Sequence, residues 1–422
     1  MTNNQKHDVI VVGGGAAGFL AAGSAAKNRA STLVLEKKNG LGRKLLITGK
    51  GRCNLTNTAE LSEFIQHFGK NGRFLRPAFS EFFSHDLVAL LNSLGVPTDV
   101  ERGGRIFPLS EQAPDVVMAL INWIGQWRVK VLTGIGVKDI VTEHGRISGL
   151  NTEDDDFIPA KAVIIATGGL SYPATGSTGD GYRLARSVGH TIIPTSPALV
   201  PLNTSDDIAP RLQGLSLKNV SASMWLEGRK KAELFGEMLF THFGVSGPII
   251  LTLSREFVNA RKADPSAELT LIIDLKPALD AKKLDDRILR DLNSSGKKKF
   301  HSVLKGLAPG KLAKLIPVLI DVDPEKFCHQ VTSQERRRLR NLLKEFKMKI
   351  KGPCSIKEAI VTAGGVALKE VDSKTMQSKI VPGLYFAGEV LDIDGDTGGF
   401  NLQAAFSTGW LAGKSASQYK SD

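Results

Sequence analysis

The chain opens with a short apolar run, residues 8–12 (DVIVV), then a glycine turn and an alanine-rich stretch reaching about Asn28. A second apolar run, Thr32 to Leu35, ends on the acid Glu36. Continuous rather than alternating hydrophobicity marks strands buried on both faces, so this reads as a strand–helix–strand unit. Further along, Val116, Val117, Leu120, Ile124 and Trp127 recur at helical spacing and predict a helix from Pro114 to Trp127. Three short strands are expected at about 129–132, 137–143 and 146–151, the last two joined by a His144-Gly145 turn. Ala162 to Ala166 is another buried strand, running into Thr167-Gly168-Gly169.

From about Ile192 the texture changes. Residues 192–275 carry short alternating apolar runs separated by Pro, Gly and Asn, which suggests a small β domain. Residues 278–350 read as helical and basic. Within them, 334–351 predicts one helix with an apolar stripe of Leu339, Leu342, Leu343, Phe346 and Ile350. A second row, Arg337, Arg340, Lys344, Lys347 and Lys351, is cationic. From Ser355 to about Ala416 the glycine-rich α/β pattern returns, so the middle of the chain reads as an insertion into one α/β domain. The expected parts are 1–191, a β-barrel-like 192–277, a helical 278–350 and a closing 351–422.

Composition adds exclusions. With 422 residues, 42% apolar and 23% charged, wholesale disorder is ruled out and two or three domains are expected. Only 4 Trp and 4 Tyr argue against an aromatic-rich surface for stacking bases or sugars. An unbroken apolar run of membrane-spanning length is not found, so no membrane partner is expected. Residues 9–26 lack the basic lead of a signal peptide and are broken by three glycines, which places the protein in the cytoplasm. Cys53, Cys328 and Cys354, without a CxxC pair, suggest neither a disulfide scaffold nor a metal site. The net charge of +12 is concentrated: Lys276 to Lys351 hold 20 basic and 9 acidic residues, and the rest is almost neutral. Such a footprint suits a polyanion, RNA foremost, against the alternative of a merely solvated face.

The chemistry begins at Gly13-x-Gly15-x-x-Gly18, between a strand and a helix. Gly13 permits the tight turn, Gly15 lets backbone N–H groups approach a pyrophosphate, and Gly18 allows close helix–strand packing. Glu36 stands at the end of the second strand, where its carboxylate can accept from ribose hydroxyls. The rest of the chain decides between nicotinamide and flavin dinucleotides. A strand end at Tyr385 to Glu389 is followed by Gly395-Asp396 and Gly398-Gly399-Phe400-Asn401, and a helix begins near Asn401. That N-terminus would face the pyrimidine end of a flavin and favour negative charge there, so FAD is the expected cofactor.

The segments GRKLLITGKGRCNLTN (42–57), ATGGLSYPATGSTGDGYRLA (166–185), GEMLFTHFGVSGP (236–248), VTAGGV (361–366) and AGEVLDIDGDTGGFNLQAA (387–405) resemble the bacterial BaiN/YhiN-type flavoprotein family. That family lies within the larger glutathione-reductase-like and fumarate-reductase-like FAD proteins. Its usual GGGRCN stands here as Gly49-Lys50-Gly51-Arg52-Cys53-Asn54. The resemblance implies an α/β fold: a Rossmann-like FAD-binding domain with an inserted β-barrel-like domain and a helical subdomain. It implies FAD contacts around Gly13, Gly15, Gly18, Glu36, Arg43, Lys44, Val137, Thr167, Gly168, Gly388, Glu389, Asn401 and Leu402. A second GxGxxG is absent, so an NAD(P)H donor would approach the flavin transiently.

The resemblance also implies reduction of carbon–carbon double bonds. Some members are implicated in converting a uridine of large-subunit ribosomal RNA to dihydrouridine, which would make ribosomal RNA the partner of the basic segment. Cys53 or His242 would supply the proton, and Arg52 would orient substrate or flavin. Two alternatives stay open: a small-molecule flavin reductase or oxidase acting on an enone or amine, and a non-catalytic RNA-binding flavoprotein. The oligomeric state is unknown from sequence.

Overall fold

The computed structural model describes residues 6–420, and the chain forms two compact units. The first combines the residues up to Ser196 with those from Ala359 onward; the second is 197–358.

In the first unit, β1 (His7–Val12), α1 (Ala16–Lys27) and β2 (Thr32–Glu36) form the expected start. β1 pairs in parallel with β2, Val9 opposite Thr32, and on its other side with Phe157–Ile165, Val9 opposite Ala162. Being central in the sheet, Val9, Ile10 and Val11 have no exposed surface, which explains the unbroken apolar run. Lys130–Thr133 extends the sheet beyond β2. Phe157–Ile165 has two kinds of neighbour along its length. Its first residues pair antiparallel with the hairpin strand Arg146–Thr152, and its last pair in parallel with Leu384–Phe386. The final piece of the chain thus completes a sheet begun by the first. The helix Phe400–Ser417 packs on α1 so closely that a Cβ on Gly413 would stand 2.1 Å from the Ala21 carbonyl oxygen.

The second unit is built on a closed barrel of six strands. Around it run Leu202–Thr204, Gly244–Ser246, Arg229–Phe240, Ser216–Leu226, Leu269–Asp274 and Phe346–Pro353, the last pairing back to the first. Helices Ala281–Ser294, Phe300–Leu307, Gly310–Leu319 and Ser333–Lys344 fall between the fifth and sixth strands. Their apolar faces, Leu284, Ile288, Phe300, Leu312 and Leu339 among them, share one core with barrel residues such as Leu271, Ile273 and Phe346.

Two sequence expectations are corrected here. The helical region is not separate from the barrel, because the two share a core and the closing strand comes after the helices. Nor is 334–351 one helix: it ends at Lys344, and Phe346–Pro353 is a strand. Phe346, Met348 and Ile350 are buried while Lys347, Lys349 and Lys351 are exposed. This alternation is the signature of period two. Offsets of seven and eleven from Leu339 mimic a helical stripe, but pairing with two distant strands decides the outcome. Among the described residues, no helix is long and apolar enough to cross a membrane.

Candidate functional site

The glycine loop has the form that a phosphate cradle requires. Gly13 adopts φ +104°, and a Cβ there would lie 2.6 Å from the Ala166 carbonyl oxygen. A Cβ on Gly18 would stand 1.9 Å from the Gly13 carbonyl oxygen, so helix and turn touch backbone to backbone. Around Gly15, by contrast, no heavy atom of the described residues beyond its own chain neighbours lies within 4 Å of a Cβ position. Gly15 is the N-cap of α1 and no side chain caps that end, which leaves the first-turn N–H groups and the positive dipole end for an anion. Glu36 Oε2 accepts from the Gly14 N–H at 2.8 Å and Oε1 from the Lys38 N–H at 2.9 Å. The carboxylate is therefore held against the loop at the end of β2. Thr167 follows the neighbouring strand with a buried, unpartnered Oγ1, and Gly168 has φ +73°. Val137 is buried, and its carbonyl accepts from Arg183 Nη2 at 2.8 Å. Arg43 is exposed at the start of the short helix Arg43–Ile47.

A polar clasp binds four segments next to this loop. Lys44 Nζ donates to Glu389 Oε2 at 2.8 Å and to Ser171 Oγ at 2.7 Å. Ser171 Oγ donates to Glu389 Oε1 at 2.7 Å, and the Thr362 N–H donates to the same oxygen at 2.8 Å. Thr362 Oγ1 in turn accepts from the Leu170 and Ser171 N–H groups at 2.8 and 3.1 Å. Sequence reasoning singled out Lys44 and Glu389 but not Ser171 and Thr362. Their only signal was membership of the segments 166–185 and 361–366. Gly388, beside Glu389, donates its N–H to Thr408 Oγ1 at 3.0 Å.

At the far end, Gly399 caps the long helix Phe400–Ser417, and its Cβ position lies 2.3 Å from the Thr56 carbonyl oxygen. Asn57 Nδ2 donates to the Gly398 and Gly103 carbonyls, both at 3.0 Å. Asn401 clamps the preceding loop: Oδ1 accepts from the Gly395 N–H at 2.8 Å, and Nδ2 donates to the Gly395 and Asp396 carbonyls at 2.9 and 3.1 Å. Leu402 is half-buried in the first turn. Asn54 Oδ1 and Thr56 Oγ1 are buried without a partner. A helix N-terminus, unpaired acceptors and an open glycine cradle in one unit fit an extended dinucleotide. The same region holds a pair the sequence did not disclose. His67 Nδ1 lies 2.9 Å from Asp396 Oδ2, with its ring stacked on Phe400 at 3.8 Å between centroids.

The catalytic candidates separate. Cys53 sits at φ +62° in a loop where Gly49, Lys50 and Gly51 also have positive φ. Its side chain is a core residue with no exposed surface, and burial pushes the thiol up to about 12, opposed only by a hydrogen bond with Thr48. A group so shielded and so weakly acidic is a poor proton donor, and the structure assigns it to packing. Arg52 is committed elsewhere: Nη1 contacts Glu101 at 2.6 Å and Glu111 at 2.9 Å, and the guanidinium lies 4.2 Å from the Phe107 ring centroid. Its role in orienting substrate or flavin is thus not supported by its contacts. His242 is exposed and belongs to the second unit, in the turn before Gly244–Ser246, edge-on to Phe243.

The HI0933-like protein Rossmann domain family matches residues 7–415. The chain is 33% identical over 414 residues to a 3-dehydro-bile acid delta(4,6)-reductase of Clostridium scindens, covering 97% of this chain and 98% of that protein. It is 30% identical over 425 residues to a ribosomal RNA dihydrouridine synthase of Haemophilus influenzae, covering 98% and 100%. In fold it is similar to 3-ketosteroid-delta4-(5alpha)-dehydrogenase from Rhodococcus jostii RHA1, with TM-score 0.53, 15% identity and coverage of 98% and 97%. Taken with the glycine cradle, the clasp and the two-part sheet, these similarities show that the chain belongs to the HI0933-like family and is an FAD-dependent oxidoreductase.

Proposed function

We propose that this protein reduces the C5=C6 bond of a uridine in large-subunit ribosomal RNA to dihydrouridine, with NAD(P)H as electron donor. The observation that carries the reading is the charge in the second unit, 20 basic against 9 acidic residues between Lys276 and Lys351. Clustered Lys and Arg release counterions from a polyanion, whereas a small neutral substrate needs no such surface. Two relatives named as ribosomal RNA dihydrouridine synthases, 30% and 29% identical over nearly the whole chain, support it.

Gly13, Gly15 and the first turn of α1 would hold the pyrophosphate and Glu36 a ribose. The N-terminus at Phe400 would favour negative charge at the flavin's pyrimidine end. Bound FAD supplies hydride-transfer chemistry from a nicotinamide donor to an electron-poor double bond. The chain's own part is to hold the base and supply a proton. His67 takes that role in place of Cys53: as an imidazolium, with Nδ1–H held by Asp396, it would give the Nε2 proton to uracil C5 and be left neutral. An RNA of this kind is reached in the cytoplasm.

The deciding experiment is mass spectrometry of nucleosides from large-subunit ribosomal RNA of cells with the gene, without it, and complemented. The expected result is loss of dihydrouridine on deletion and its return only with an FAD-competent copy. Unchanged dihydrouridine would overturn the reading. A second reading, reduction of a steroid-like enone, is favoured by the 33% identity to the bile acid reductase. It predicts turnover of 3-oxo-Δ4 compounds and no steeply salt-dependent binding of RNA. Return of dihydrouridine with an FAD-deficient copy would instead indicate a non-catalytic RNA-binding flavoprotein.

A further inference from the structure

The lysine run Lys297–Lys299 lies between the helices Ala281–Ser294 and Phe300–Leu307, in the second unit. The backbone ties it to the segment around Phe327. The Cys328 N–H donates to the Lys298 carbonyl at 3.0 Å, and the Phe300 N–H to the Lys326 carbonyl at 2.8 Å. His329 Nδ1 contacts the Gly296 carbonyl at 2.8 Å, so that ring nitrogen is the donor and the imidazole is fixed. The Phe327 ring, exposed to 38%, lies nearly parallel to the exposed His329 ring, at 17° and 5.8 Å between centroids. Lys299 Nζ stands 3.9 Å from the Phe327 centroid.

Some cations of this unit are paired with carboxylates. Lys326 pairs with Glu335, Arg336 with Asp285, Lys344 with Asp274 and Lys349 with Glu268. Lys297 and Lys298 are exposed and have no carboxylate partner among the described residues. The structure therefore brings an ordered pair of exposed rings next to a patch of uncompensated positive charge. The scarcity of Trp and Tyr gave no sign of it, because Phe and His supply the rings.

We propose that this platform binds an unpaired segment of RNA, a base stacking on the Phe327–His329 pair and Lys297 and Lys298 meeting phosphates. The proposal rests on the ribosomal RNA reading for its partner and adds where and in what form the RNA is gripped. Unpaired bases expose the π-faces that rings require; in a duplex those faces are stacked away.

The test is fluorescence anisotropy of the full-length, FAD-loaded protein with labelled oligouridylate, and with an RNA duplex of equal length, across a salt series. Wild type is expected to prefer the single strand. His329→Ala and Phe327→Leu should each weaken that binding about 5- to 100-fold with duplex binding unaltered. Lys297→Ala/Lys298→Ala should flatten the slope of log affinity against log salt by about 1.4, at about 0.7 per phosphate. These lysines are exposed, so this variant stays informative if a ring substitution unfolds the loop; melting temperature and flavin absorbance monitor folding. Ring variants that fold and bind like wild type, or a duplex bound as tightly as the strand, would refute the platform. The two readings fail separately. Ring-dependent oligonucleotide binding with ribosomal dihydrouridine unchanged on deletion sinks the substrate assignment alone. Dihydrouridine lost on deletion, with binding indifferent to the rings, sinks the platform alone.

Discussion

Glu389→Gln probes the clasp that gathers Lys44, Ser171 and Thr362. The carboxylate accepts three hydrogen bonds, at 2.8 Å from Lys44 Nζ, 2.7 Å from Ser171 Oγ and 2.8 Å from the Thr362 N–H. An amide in its place can keep the Ser171 and Thr362 bonds through its oxygen, but its NH2 group then faces an ammonium. Breaking a fully buried pair costs about 3–5 kcal/mol, whereas a hydrogen bond to a charged group is worth about 1.5–3 kcal/mol. Lys44 and Glu389 side chains are 23% and 18% exposed, so water partly relieves the stranded charge and the lower range applies. The expected loss is about 2 kcal/mol, from denaturant unfolding of FAD-free protein followed by circular dichroism. Lys44→Met should cost a similar amount. Combining the two removes both charges, so the double variant should fall short of additivity by about 1–2 kcal/mol. Flavin titration should show weakened FAD binding in both single variants, since the clasp orders the loops beside the cradle. Single losses under about 0.5 kcal/mol with full additivity would refute the reasoning, since exposed pairs behave that way.

Other outcomes follow from the same geometry. Cys53→Ala should leave turnover within about twofold, because a core thiol is not a proton donor; loss of about a hundredfold, the scale of a missing general acid, would contradict this. Burial lifts that thiol to about 12 in the folded state, so the folded protein holds its proton where the unfolded chain releases it. Stability therefore falls as pH rises above the unfolded value near 8.5, by about 1.4 kcal/mol per unit, and Cys53→Ala should flatten this alkaline loss in denaturation curves. Gly15→Ala, with open space around its Cβ, should fold normally yet raise the FAD dissociation constant about tenfold or more, since one methyl group blocks phosphate approach. Gly18→Ala should instead destabilise the apoprotein itself, because its Cβ meets the Gly13 carbonyl at 1.9 Å. His67→Gln should lower turnover by about a hundredfold or more while retaining flavin absorbance, which stopped-flow oxidation of the reduced enzyme would register.

Local pattern was enough for the start of the fold and for the cradle. An unbroken apolar run, three glycines at set spacing and an acid closing β2 carry their meaning within thirty-six residues, because backbone geometry around a phosphate is a short-range requirement. The return of α/β texture near Ser355 likewise disclosed that both ends of the chain build one sheet. What pattern missed depended on contacts between distant segments. Phe346–Pro353 became a strand because two barrel neighbours offered hydrogen bonds that no helical stripe could supply. Ser171 and Thr362 gained importance only when packing set them around Glu389. Arg52 and Cys53, adjacent in sequence, parted because one reached two carboxylates and the other turned into the core. Charge could be counted from composition, but whether each lysine kept or lost it to a neighbouring acid was decided in three dimensions, where Coulomb energy depends on distance and not on order along the chain.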